Sequence, residues 1–342
     1  MPPPCSVARV SDATPLVTIA IPTFNRASWL GDCIRSALAQ SYPHFELLVS
    51  DNASTDETSL ELGRFNDERL RVIRQPKNIG ADGNWNACLA EAKGEYIVFL
   101  PDDDRISPWL LERCVALIGI EPGIPVIMAL GETYVVAQHR ALPSTVSQKL
   151  GTGIWDGVDI LDEYLDGQIS VQGCTTVLRT EALRACGGFR KDLPFANDIA
   201  AHLRLLLTGK AGFVNECCGR YSLHEATETN NLDLARHLED VRKVVDLIVD
   251  TAQNTIEDEQ RRRKLQLQAG RFLARHAIGI IDSHRSRGAK LRELYPVLWK
   301  WRKLLMHVAR GDIFPAAARL TALLLIPTPL IPWLRRVKQK LL

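Results

Sequence analysis

The chain has 342 residues, 46% of them hydrophobic and 24% charged, with a net charge of +2. That is the make-up of an ordinary globular protein with material for one large domain or two smaller ones. No apolar run reaches the roughly 18–20 residues that a bilayer-spanning helix needs. The near-neutral total hides an asymmetry: residues 231–342 carry 22 Lys/Arg against 11 Asp/Glu, and residues 1–230 carry 20 against 29. An acidic part joined to a basic part suggests chemistry in the first; the second has either contact with an anionic surface or a solvated helical face. The eight cysteines show no CxxC pair and no framework spacing, so they read as small core residues in a reducing compartment. The first 15 residues form a loose leader without the apolar stretch of a signal peptide, which places the chain in the cytoplasm.

Apolar runs and helical patterns then alternate. Residues 17–21 (VTIAI) read as a strand closed by Pro22, and residues 27–40 as a helix with Leu30, Ile34, Ala37 and Leu38 on one face. A strand over 45–50, a helix over 56–65, a strand over 70–73 and a helix over 83–92 follow. A fourth strand over 95–100 (EYIVFL) runs straight into Pro101-Asp102-Asp103-Asp104. A helix over 108–119 and a strand near 125–130 complete this part. Near-continuous apolar strands alternating with helices imply a parallel sheet covered on both faces. Residues 131–170 are less regular, Gly187-Gly188-Phe189 marks a turn, residues 198–207 read as a helix, and the pattern from about 232 to 310 is helical.

In open α/β sheets ligands bind at the carboxyl ends of the strands. Three polar clusters fall there: Thr23-Phe24-Asn25-Arg26, Asp51-Asn52-Ala53-Ser54 and Asp102 to Asp104. A nucleoside diphosphate and a carboxylate repel each other unless a divalent cation bridges their oxygens. Mg²⁺ or Mn²⁺ needs only one or two protein carboxylates when phosphates supply the rest of its shell. A short Asp run on a strand-end loop suits that task. The structural alternative for Asp51 is an Asx turn or cap for the following helix, and for the Asp triplet a solvated loop.

The stretch VTIAIPTFNRASWLGDCIRSALAQSYPHFELLVSDNASTD, followed by VIRQPKNIGADGNWNACLAEAKGEYIVFLPDDDRISP, resembles family 2 glycosyltransferases of the GT-A fold. The likeness is dense over residues 16–120 and looser to about 229. It implies a Rossmann-like, mixed and mainly parallel α/β sheet with helices on both faces, followed by a helical C-terminal region. The domains expected are a leader over 1–15, a catalytic domain over 16–230 and a basic helical region over 231–342. The catalytic domain divides into a nucleotide-binding half, 16–120, and an acceptor half, 121–230. By the same resemblance Thr23, Phe24 and Asp51 line the nucleobase pocket, with Asn25 beside them on the donor. Asn78 and Gly80 shape the diphosphate site. Asp102 to Asp104 form the DxD-type motif, Asp104 being the leading metal ligand and Asp103 lying near the ribose. Pro101 stands where many relatives carry Asp. ANDIAAHLRLLLTG resembles an acceptor-side helix that usually opens with Glu-Asp; Asn197 replaces the Glu, so the general base falls to Asp198. His224, in RYSLHEATET, matches a histidine over the donor site that ligates the metal or contacts the diphosphate. The chain lacks the Gln-x-x-Arg-Trp signature of processive synthases, which favours single addition.

The expected reaction is inverting transfer of a sugar from a nucleotide-sugar donor, UDP-linked first of all, to a hydroxyl of a glycan or lipid-linked acceptor, with Mn²⁺ or Mg²⁺. Two alternatives are a sugar nucleotidyltransferase, opposed by the missing Gly-rich loop after the first strand, and an inactive membrane-attached binding protein. Past residue 230 the resemblance stops. Arg261-Arg262-Arg263-Lys264, the Trp299 and Trp301 pair, and the uncharged run 320–334 followed by Arg335, Arg336, Lys338 and Lys340 suit a peripheral contact with an anionic membrane. No nucleic-acid partner is expected, because no recognition module is present and the motif-bearing half is acidic.

Overall fold

The computed structural model describes residues 14–193, 196–225, 227 and 233–286. The chain divides into two compact units, Met1–Thr227 and Glu228–Leu342. The first unit opens with a run of strands and helices: β1 (Val17–Thr23), α1 (Ala27–Leu38), β2 (Phe45–Asp51), α2 (Thr58–Leu62), β3 (Leu70–Arg74), α3 (Ala81–Glu91) and β4 (Tyr96–Phe99). β3, β2, β1 and β4 lie side by side in parallel. This is the arrangement the alternating apolar runs predict. Alternate residues of each strand serve opposite faces of the sheet. Ile19, Ile21, Leu47, Val49, Tyr96 and Val98 join Leu30, Cys33 and Ile34 of α1 in one buried cluster. On the other face Phe99 stacks on Trp85 of α3 at 4.9 Å. Truncating a core residue such as Ile34 to Ala would cost about 2–5 kcal/mol.

Pro22 sits inside β1 without breaking it. The β1–β4 ladder ends at the Ala20–Phe99 pair, so the missing N–H falls where β1 has lost one neighbour.

The later half departs from a simple parallel sheet. After β5 (Arg105–Ile106) and α4 (Leu110–Ile120) come β6 (Val126–Val135), β7 (Arg140–Leu142), β8 (Gly153–Asp156), α5 (Gly157–Leu165), β9 (Val171–Arg179), α6 (Thr180–Ala185), α7 (Asn197–Leu206) and β10 (Lys210–Leu223). β9 lies between β4 and β6 and is antiparallel to both. β10 runs parallel to β6 and antiparallel to β5 and β8. The span 131–170, irregular by its composition, thus holds the end of β6, two short strands and α5, whose Asp156 cap accepts the Val158 N–H. The β10–β5 pairing, Arg220 opposite Arg105, brings residues far apart in sequence to the acidic loop after β4.

The second unit contains α8 (Leu234–Thr255) and α9 (Glu259–Ser286), which pack on each other. Asp233 caps α8 by accepting the Arg236 N–H at 3.0 Å, and Asp258 accepts the Gln260 and Arg261 N–H groups at the start of α9. Leu238, Val241, Val245, Ile248 and Ala252 are buried at helical spacing along α8. Within the basic run, Arg262 reaches the Ile256 carbonyl and Arg263 pairs with Glu259. No described helix is long and apolar enough to cross a membrane. Trp299, Trp301, the run 320–334 and the terminal cations lie outside the described residues.

Candidate active site

Four loops meet at the carboxyl ends of β1, β2, β3 and β4. The first, after β1, begins at Thr23, which is buried and whose carbonyl accepts the Asn52 N–H at 2.9 Å. Phe24 is 39% exposed, leaving its ring free to meet a planar partner. Asn25 adopts φ 53°, in the left-handed region that Asn tolerates. Its amide oxygen accepts the Thr55 N–H at 2.8 Å and its own N–H donates to Ser54 Oγ at 2.9 Å. Asp56 closes the staple by accepting the Ala27 N–H. The Asn25 amide is thus used between two loops.

Asp51 ends β2 and is almost wholly buried. Oδ1 accepts the N–H of Ser54, three residues on, at 2.9 Å, while Oδ2 lies 2.9 Å from a guanidinium nitrogen of Arg74. Arg74, at the end of β3, also holds the Ser54 carbonyl and Ser59 Oγ. It is half exposed over a buried carboxylate, and its sequence position alone gave no signal.

Asn52 organises the third loop. Its Nδ2 donates to Asn78 Oδ1 at 3.0 Å and to the Gly80 carbonyl at 3.2 Å, and its Oδ1 accepts the Ile79 N–H at 2.9 Å. Asn78 Oδ1 also accepts the Gly80 N–H at 2.8 Å. Gly80 takes φ 80°, a conformation that penalises any side chain, and opens α3. Asn78 and Gly80 are therefore held by the residue that follows Asp51.

The fourth loop carries the three aspartates, and they face different ways. Asp102 lies 4.0 Å from Arg26 Nε. Burial, then the charge of Asp103, push its carboxyl up to about 7. Asp104 is 2% exposed and turned inward: Oδ1 accepts the Ser222 N–H at 2.8 Å. Burial, again followed by Asp103, raises its carboxyl well above the usual range. Asp103 turns instead toward His224, with Oδ2 3.0 Å from Nε2. The imidazole stacks on Trp29 of α1, with ring centroids 4.2 Å apart and planes 11° from parallel. A turn in which the His224 N–H donates to Thr227 Oγ1 at 3.0 Å fixes the backbone there. β10 delivers Ser222 and His224 to the loop, so the His224 partner of the acidic run follows from the β10–β5 pairing.

Among the described residues no group of three or more His, Cys, Asp or Glu side chains forms a cation cage. The Asp103–His224 pair is one carboxylate and one imidazole, a donor set suited to a cation whose remaining ligands are phosphate oxygens and water.

Across from these loops, Asn197 and Asp198 open α7 after Ala196. Asp198 Oδ1 accepts the Ile199 N–H at 2.7 Å, and burial raises its carboxyl above the ordinary value. Gly173 of β9 leaves room for it; a Cβ there would stand 2.7 Å from Asp198 Oδ2. Asn197 accepts the Arg190 N–H and donates to Asp82 Oδ1 at 2.9 Å. Asn86 of α3 brackets the Phe189 backbone, accepting its N–H at 3.0 Å and donating to its carbonyl at 2.9 Å. Trp29, Asn52, Arg74, Asp82 and Asn86 are site neighbours that sequence reasoning did not single out.

A model of the family Glycosyl transferase family 2 matches residues 18–171. TuaG of Bacillus subtilis (strain 168), a protein named for teichuronic acid biosynthesis as a glycosyltransferase, is 37% identical over 101 residues; the match covers 29% of this chain and 40% of TuaG. The chain thus spans less than half the length of that relative. Among solved structures, S. aureus TarS 1–349 in complex with UDP superposes with a TM-score of 0.60 at 20% identity, covering 90% of each chain. Mannosyltransferase PcManGT from Pyrobaculum calidifontis, in complex with GDP-Man and Mn²⁺, gives a TM-score of 0.52 at 18% identity, covering 94% of this chain and 89% of that one. These two likenesses concern the fold. The family match over 18–171 contains the strand-end loops from Thr23 to Asp104.

Proposed function

We propose that the chain transfers a sugar from a nucleotide-sugar donor to a hydroxyl of a glycan or lipid-linked acceptor, once per encounter and with inversion. UDP-sugars are the first donors to test. The observation that carries this reading is the Asp103–His224 pair, 3.0 Å apart beside the strand-end loops that hold Asp51, Asn78 and Gly80.

In this reading Phe24 offers its exposed ring to the base, while Thr23, Asp51 and Arg74 form the wall behind it. Asp102, near Arg26, serves the ribose side. The start of α3, set in place by the Asn78–Gly80 turn, offers its first N–H groups to the diphosphate. Asp103 and His224 hold the divalent cation, Mn²⁺ or Mg²⁺, in preference to Asp104, whose Oδ1 is taken by the Ser222 N–H. When bound, that cation neutralises charge on the departing diphosphate.

Asp198 takes the proton of the acceptor hydroxyl, and its raised carboxyl makes it a stronger base than an exposed aspartate. The acceptor oxygen bonds to C1 of the sugar from the face opposite the diphosphate. The C1–oxygen bond to phosphate breaks, and its electron pair leaves with the diphosphate. Single displacement of this kind inverts C1.

The experiment is a transfer and hydrolysis assay with UDP-, dTDP- and GDP-sugars, with and without Mn²⁺. Release of nucleoside diphosphate that requires Asp198 and the cation is expected. Nucleotide binding without turnover in the presence of glycan and lipid-linked acceptors would favour the inactive alternative. For residues 231–342 the reading is peripheral contact with an anionic membrane, supported by their basic excess.

A further inference from the structure

Asp82 belongs to no role assigned above, yet it stands where a role is needed. It is the second residue of α3, two positions after Gly80. Through Asn197 it is tied at 2.9 Å to the start of α7, and the residue after Asn197 is Asp198. The sugar being transferred hangs from the diphosphate at one end and meets the activated acceptor at its C1. Its ring must therefore lie between the Asn78–Gly80 turn and Asp198. Asp82 is fixed between those same two points, and its carboxylate is only partly buried.

We infer that Asp82 accepts hydrogen bonds from hydroxyl groups of the transferred sugar and so selects it, with Asn197 as the residue that positions it. This rests on the donor-site reading given above. The chemistry of the pair supports it. A carboxylate beside a diphosphate gains nothing from the phosphates, which repel it, but it is a strong acceptor for sugar hydroxyls. Asn197 is suited to hold it: the amide donates through Nδ2 to Asp82 while Oδ1 accepts the Arg190 N–H. An acidic residue at 197 would lack the donor and would set a second negative charge at hydrogen-bond distance. The Asn in place of an acid is therefore matched to Asp82. Asn197 in turn holds Arg190 next to Phe189, whose backbone Asn86 brackets from α3, so the pair sits in a braced frame.

The test compares two affinities in each protein by calorimetry with Mn²⁺ present: a nucleoside diphosphate alone, and the same nucleotide carrying its sugar. UDP, dTDP and GDP pairs are used, and the base that the wild type binds is carried forward. Asp82→Asn and Asp82→Ala are expected to leave nucleoside diphosphate affinity unchanged and to weaken the sugar conjugate about tenfold. The double variant Asp82→Asn with Asn197→Asp rebuilds the hydrogen bond with its direction reversed. It is expected to recover the thermal stability lost in the single variant but not the sugar-dependent affinity. Recovery of that affinity by the exchange, or parallel loss of both affinities in the single variants, would assign Asp82 to structure and overturn the inference. If the wild type binds no nucleoside diphosphate, the donor-site reading itself fails. If it binds the diphosphate with an unchanged sugar contribution in Asp82→Ala, only the present inference does.

Discussion

The His224 imidazole lies flat on the Trp29 indole, 4.2 Å between centroids, with Nε2 3.0 Å from Asp103 Oδ2. Trp29 comes from α1, His224 from the end of β10 and Asp103 from the loop after β4, so three distant pieces of chain set the pair proposed to hold the cation. A ring held on one face and at one nitrogen loses little further freedom when a cation arrives, and such pre-ordering favours binding. Asp103→Asn and His224→Ala should each abolish Mn²⁺-dependent tightening of nucleoside diphosphate binding. Trp29→Ala should weaken it by a smaller factor, because both ligands remain. Calorimetric titrations with and without Mn²⁺ measure this, and unchanged cation dependence in Asp103→Asn would move the cation elsewhere.

Asp104 should behave differently from its neighbour. Its Oδ1 satisfies a buried N–H of Ser222. Asp104→Ala leaves that donor orphaned, at a cost of about 1–3 kcal/mol, and a fall in thermal midpoint should accompany it. Asp104→Asn keeps an acceptor oxygen and removes a charge that burial disfavours, so it should be as stable as the wild type or more so. If Asp104→Asn instead loses all cation-dependent binding at native stability, Asp104 is the metal ligand that its motif suggested.

Asp198 carries a stability and an activity prediction of opposite sign. Its folded carboxyl is raised by burial, so the ionised form present at neutral pH opposes folding, and this penalty fades as pH falls toward the ordinary carboxylate range. Asp198→Asn should raise the thermal midpoint while lowering turnover on the order of 10²–10⁴-fold, with donor affinity unchanged. In the wild type, turnover should drop on the acid side through a proton that binds above the usual Asp value. A variant with near-native turnover would assign the base to another group, with Asp192 the first to test.

His202, buried in α7 four residues beyond Asp198, supplies a pH dependence of the fold. Burial lowers its folded value to about 3 from 6.5. The neutral ring is accommodated and the unfolded chain gains a proton first. The stability associated with it is complete above pH 6.5 and declines as pH falls toward 3, by up to about 1.4 kcal/mol per unit. His202→Leu should flatten the dependence of the chemical-denaturation midpoint between pH 7 and pH 5. An unchanged slope would place that proton uptake on other groups.

β1, β2 and β4 were legible because parallel strands buried on both faces read as near-continuous apolar runs, and the partly exposed edge strand β3 (LRVIR) by its place between two helical patterns. The acidic cluster after EYIVFL was legible for the same reason, since the strand end locates it. What the chain hid was long-range. β9 enters between β4 and β6 in the antiparallel sense, and β10 pairs with β5; neither relation is written in local periodicity. The individual tasks of Asp102, Asp103 and Asp104 depend on Arg26, His224 and Ser222, up to 121 residues away. Asn25 looked like a ligand group, and part of its work is to tie loop to loop; Asn52, given no role of its own, does the same.

The basic C-terminal region offers a prediction from sequence and charge. The uncharged run 320–334 is 15 residues long and is interrupted by Pro327, Pro329 and Pro332. That is too short to span a bilayer, and the prolines break a continuous helix. Its Leu, Ile and Trp333 side chains suit burial at the headgroup boundary, and Arg335, Arg336, Lys338 and Lys340 follow directly. Each cation adds about 1 kcal/mol against an anionic leaflet, an attraction that salt screens. The full chain should therefore co-sediment with liposomes rich in anionic lipid at low salt and leave them at high salt. Removing residues 312–342 should weaken that association while sparing nucleotide binding at Asp51 and Asp103. Full-length protein that ignores anionic vesicles at low salt would make the region a packing element and remove the membrane from the list of partners.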